Sequence, residues 1–146
     1  MEKVLIAYSG QLPATLEVAE AVAQQLVKRG FAVDVRATCA AQDAWKYDAV
    51  IVGSPVSSGH WDKDAVHYLR AQAPDLAERP TWLFQCSDAG SGGAYPYRLP
   101  RPVTQFCYEA GAHDVASFEP DHHLADEAAT WADGIADQLI LGLVTA

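Results

Sequence analysis

The chain has 146 residues, 50% hydrophobic and 20% charged, enough apolar material to bury the core of one domain and too much for a disordered segment. Its net charge of −9 opposes binding to nucleic-acid phosphates or anionic lipid, and no apolar run nears the roughly 20 residues that span a bilayer. The scattered cysteines, Cys39, Cys86 and Cys107, include no CxxC pair, which argues against a disulfide framework or a zinc knuckle; with no signal-peptide pattern after Met1, a reduced, cytoplasmic setting is expected.

Strand and helix signals alternate along the chain. The apolar run 3–8 reads as a strand covered on both faces. Leu16, Ala19, Val22, Ala23, Leu26 and Val27 recur at helical spacing, with Lys28 and Arg29 in the last turn and Gly30 as the stop. Residues 31–36 alternate as an edge strand does, and 49–54, the most apolar run, reads as the central strand. A helix is expected from Trp61 to Ala73, ended by Pro74, with Asp62 and Lys63 as a solvated first turn. Residues 81–86 form a fourth strand, 103–110 a helix before Gly111, 115–118 a fifth strand, and 126–143 a last helix with Trp131, Ile135 and Leu139 on one stripe. This order predicts one α/β domain over 1–146, built of right-handed βαβ units around a parallel sheet.

In such a sheet ligands bind beyond the carboxyl ends of the strands, where strand order reverses. Three loops leave those ends: Ser9 to Ala14, Ser54 to His60, and Ser87 to Pro102. The first joins a strand to a helix N-terminus, a geometry suited to anions, but contains no Lys or Arg and neither nucleotide fingerprint. Taken alone it is an ordinary turn capped by Thr15. In the second loop His60 or Trp61 can stack on a ligand, although Trp61 serves equally well as a core residue opening the next helix. The third is rich in glycine and proline and carries Tyr95, Tyr97 and Arg98; it either walls a pocket or lies on the surface. His122 and His123 are adjacent, so they point apart and suggest a turn rather than a metal site. Cys86, with no basic neighbour in sequence, reads as a buried structural thiol.

The stretches Val4–Tyr8, Thr15–Glu20, Tyr47–Val56, Ser58–Trp61 and Arg79–Phe84 together resemble the flavodoxin-domain proteins, nearest to the small single-domain group that includes the flavodoxin-type protoporphyrinogen oxidase. The resemblance implies a three-layer sandwich with a five-stranded parallel sheet in order 2-1-3-4-5, and an FMN site. By the same likeness the cofactor-binding positions are Ser9, Gly10, Gln11, Leu12, Ala14 and Thr15, then Pro55, Val56, Ser57, Ser58 and Gly59, then Ser87, Asp88 and Gly90. The family's first loop reads [ST]-x-[ST]-G-x-T; residues 10–15 keep only the final Thr, and Pro13 removes an N–H where the family has Gly. The leading expectation is an FMN-binding protein of electron or hydride transfer, with a small-molecule ligand and a redox partner protein. The alternatives are an enzyme that has lost FMN and uses His60, Asp88 and Tyr95 as acid–base groups in the same crevice, or a binding protein without catalysis.

Overall fold

The first strand, β1 (Lys3–Tyr8), alternates two apolar faces: Val4 and Ile6 enter one core, Leu5 and Ala7 the other. The same division continues through β3 (Ala49–Ser57), where Ala49 and Ile51 join the first core and Val50 and Val52 the second. It extends to β5 (Thr81–Ser87), with Trp82, Phe84 and Cys86 opposite Leu83. Runs without a polar face are therefore required, because helices cover both sides. The structure is a computed structural model that describes residues 2–41, 43–57, 59–87, 101–110, 112, 114–120 and 123–142.

Helices α1 (Pro13–Lys28) and α4 (Leu124–Leu141) cover the first core; α2 (Lys63–Ala77) and α3 (Arg101–Ala110) cover the second. With β2 (Ala32–Ala37) at one edge and β6 (Asp114–Phe118) at the other, the parallel strands lie in order β2-β1-β3-β5-β6. This is the expected 2-1-3-4-5 arrangement. An additional two-residue strand, β4 (His60–Trp61), turns back antiparallel on the end of β3. β2 and β3 are joined by residues 38–48, which carry a 3-10 turn over Ala44–Lys46.

Several boundaries differ from expectation for identifiable reasons. α1 begins at Pro13, not after Ala14, since proline's preset φ and absent N–H suit a first helical position. Thr15 is consequently inside the helix, and Leu12, not Thr15, holds the cap position. The buried stripe of α1 is Thr15, Val18, Ala19, Val22 and Leu26, leaving Leu16 and Val27 exposed. Gly30, at φ +97°, ends the helix in a Schellman motif: Phe31 N–H donates to Leu26 O and Gly30 N–H to Val27 O. Pro74 does not stop α2, which runs on to Ala77. Pro74 and Arg70 are both exposed, so the Arg70 carbonyl that loses its helical donor can turn to water. Trp61 belongs to β4 rather than to the helix. Among the described residues no helix is long and apolar enough to cross a membrane.

Candidate functional site

The crevice at the carboxyl edge is formed where the first two loops lock together. Ser9 N–H donates to Gly53 O at 3.1 Å, tying the end of β1 to β3. Gly10 has φ +80°, and a β-carbon there would lie 2.7 Å from Pro55 Cγ and 4.0 Å from Asp62 Cγ. Only glycine satisfies both the backbone angle and the close approach of the two loops.

The second loop is a hairpin. Val56 pairs with Trp61 and Ser57 with His60, carrying β3 beyond the sheet before the chain returns to α2. The Trp61 indole is buried, and its Nε1–H donates to Gln85 Oε1 at 2.9 Å; Gln85 Nε2 in turn donates to Ser117 Oγ at 3.0 Å. Trp61 is thus a core residue, as one of the two sequence readings had it, and His60 is left exposed at the hairpin's outer end. On the return, Asp62 N–H donates to Ser54 Oγ at 3.0 Å, while Ser54 Oγ–H reaches Pro55 O at 2.9 Å. Ser54 and Gln85, both fully buried polar residues, were given no role of their own in the sequence argument; polar residues inside otherwise apolar strand ends were the available signal.

Two hydroxyls at the first loop are buried. Ser9 is 3% exposed and Thr15 1%; among the described residues Ser9 Oγ makes no hydrogen bond, and Thr15 Oγ1 has only the Cys86 thiol near it. An orphaned buried hydroxyl costs about 1–3 kcal/mol, so a pair beside one helix N-terminus calls for a ligand or ordered water. The backbone adds donors unevenly. Pro13 has none, and Thr15 N–H turns back to Leu12 O at 3.0 Å, which removes it from the set of N–H groups expected to face a phosphate. The amide of Ala14, also in the first turn, lacks a helical acceptor. Leu12 is half-buried and Gln11 exposed.

Beneath Thr15 lies Cys86, whose thiol burial pushes up to about 12; the nearby Thr15 hydroxyl offsets part of that rise and the Glu17 carboxylate adds to it. The thiol is a structural one, as expected. Asp62, expected as part of a solvated turn, is instead half-buried against Gly10 and makes no capping hydrogen bond through its side chain.

Of the expected cofactor positions, Ser9, Gly10, Gln11, Leu12, Ala14 and Thr15 lie together at the first loop, with Pro55, Val56, Ser57 and Gly59 beside them on the hairpin. Ser87 ends β5 at the same edge, in register with Val56. Ser58, Asp88, Gly90 and Tyr95, and with them most of the third loop, lie outside the described residues. His123 precedes α4 at its cap position, in the turn expected there. No group of three metal-ligating side chains occurs among the described residues.

The sequence profile of the flavodoxin domain matches residues 5–97. No curated protein matches the chain. Among solved structures, the rubredoxin:oxygen oxidoreductase of Desulfovibrio gigas superposes with a TM-score of 0.75 at 19% identity, covering 98% of this chain but 37% of that one. The flavodoxin of Streptococcus pneumoniae TIGR4 gives 0.72 at 16% identity, with 93% of this chain and 99% of that one covered. An archaeal flavodoxin gives 0.76 at 15% identity, with 93% and 97% covered. At these identities the likeness is one of fold.

Proposed function

The chain belongs to the flavodoxin domain family, and on that premise we propose that its crevice binds FMN and serves electron transfer. The observation that carries this reading is the pair of buried hydroxyls, Ser9 Oγ with no partner and Thr15 Oγ1 with only the Cys86 thiol near it among the described residues, at the helix N-terminus where a phosphate-ended ligand finds donors. The residues fit the group. Ser9 and Thr15 would donate to its phosphate together with the amides of Gln11, Leu12 and Ala14. The hairpin 55–60, with Ser87 in register beside it, would flank its ring. When bound, FMN supplies reversible uptake of one or two electrons.

The chain's own part is to position and to tune. The contacts between Gly10 and Pro55 and between Trp61 and Gln85 hold the two loops in one arrangement, so little ordering is left for binding to impose. The net charge of −9 opposes a further negative charge on a bound ring and attracts a basic redox partner. The test is an absorbance spectrum of the purified protein before and after FMN is added and the excess removed. Retained visible flavin bands are expected; a protein that stays colourless after incubation at high micromolar FMN overturns the reading and leaves the crevice to another small molecule, with His60 as an acid–base group.

A further inference from the structure

Asp62 brings a negative charge to the place where the family's ligand carries its own. We propose that Asp62 is a specificity-determining residue: its carboxylate disfavours a phosphate dianion at the first loop, so that the crevice takes unphosphorylated flavin about as well as FMN. This rests on the flavin reading above and concerns which flavin.

The carboxyl carbon of Asp62 lies 4.0 Å from the β-carbon position of Gly10, against the loop that must hold the ligand's end group. Its placement is enforced. Asp62 N–H is held by Ser54 Oγ, its C=O accepts from Ala65 and Val66 N–H as α2 begins, and the helix dipole favours a carboxylate there. Its side chain is half-buried and makes no cap bond with the first turn of α2. Among the described residues the other charges near the first loop do not compensate. Glu17 on α1 is close enough to bear on Cys86 beneath Thr15, residues 9–15 contain no cation, and Lys63, the first residue of α2, is exposed.

The chemistry of the end group then decides. A phosphate dianion only accepts hydrogen bonds, and beside Asp62 it meets like charge. A terminal hydroxyl accepts from an amide or from Ser9 Oγ–H and donates its own proton to Asp62. The same site therefore satisfies an alcohol at both ends, while it satisfies a phosphate only on the donor side. The loss of one amide at Pro13 and the diversion of Thr15 N–H to Leu12 act in the same direction, since both subtract from the donors a phosphate needs.

The experiment is a calorimetric titration of riboflavin and of FMN, separately, into wild type, Asp62→Asn and Glu78→Gln. Asn keeps the shape of Asp and is itself a favoured N-cap, so α2 is retained, and a thermal melt of each variant checks the fold. Glu78, exposed at the far end of α2, changes the net charge equally without approaching the crevice. Wild-type dissociation constants for the two flavins within about threefold of each other support the proposal, with Asp62→Asn tightening FMN on the order of tenfold, riboflavin staying within twofold, and Glu78→Gln changing neither. FMN bound a hundredfold or more tighter than riboflavin by wild type overturns it, as does an equal response of both flavins to Asp62→Asn. If neither flavin binds any of the three proteins, the flavin reading itself fails, and the proposal with it.

Discussion

Gly53 sits at the end of the apolar part of β3, and its missing side chain is what admits Phe84. A β-carbon on Gly53 would fall 2.0 Å from Phe84 Cζ and 2.3 Å from both Cε atoms, against a normal carbon–carbon contact of about 3.5–4.0 Å. In Gly53→Ala the ring must therefore retreat by roughly 1.5 Å. It has no free direction in which to do so: Phe84 is fully buried and meets Phe118 edge-on at 6.3 Å and Trp131 at 6.0 Å. Overpacking of this kind costs about 1–3 kcal/mol, and a rigid aromatic hit at its far edge belongs at the upper end. At about 3 °C per kcal/mol for a chain of this size, the melting temperature should fall by roughly 6–9 °C. Because Gly53 O accepts the Ser9 amide, the displacement also reaches the first loop. The assay is calorimetric melting of Gly53→Ala, Phe84→Leu and the double variant. Leu at position 84 removes the atoms that are struck, so the double variant should be more stable than the sum of the single losses predicts. A Gly53→Ala protein within about 0.5 kcal/mol of wild type would refute this account of how β3 and β5 pack.

Thr15→Ala should weaken FMN by about 1.5–3 kcal/mol, the range for a hydrogen bond to a charged group, as read by titration; an unchanged dissociation constant would remove Thr15 from the ligand's contacts. Trp61→Phe deletes the donor to Gln85 Oε1 and should cost about 1–3 kcal/mol in urea denaturation, more than Trp45→Phe at an exposed position. Cys39, which is exposed, should react at once with a thiol reagent, and Cys86 only on unfolding. Burial holds the folded Cys86 thiol near 12, above its ordinary 9.0, so the unfolded chain loses its proton first. The Cys86 contribution is intact below pH 9, and stability should fall as pH rises from about 9 to 12; Cys86→Ala should flatten that decline in denaturation measured across the range.

The parallel sheet was legible because its strands are covered on both faces, and Val4–Ala7, Ala49–Val52 and Trp82–Phe84 therefore spell apolar runs that hardly another element could use. The misreadings share one cause: a residue's local preference was overridden by what surrounds it. Pro74 stands inside a helix because its turn faces solvent; Pro13 starts one because its lost amide had no helical acceptor in any case. Trp61 reads from sequence as either a residue stacking on the ligand or core, and the Gln85 side chain, 24 positions away, decides for the core. The location of the site was legible from the loops at one sheet edge. Its electrostatics were not, because Asp62 reaches Gly10 only through the β3–β4 hairpin, and a two-residue strand leaves no periodic signal. The narrower likeness to the protoporphyrinogen oxidase group rests on the quoted stretches between Val4 and Phe84 alone.

The central claim is that a flavin binds where the first loop meets the hairpin, and amide NMR shifts recorded during an FMN titration test it most directly. The account predicts saturable shifts at Gly10, Gln11, Leu12, Ala14 and Thr15 together with residues 56–60, while the amides of β2 and of the C-terminal half of α4 stay in place. Saturable shifts confined to other parts of the chain, or none at high micromolar FMN, would contradict it.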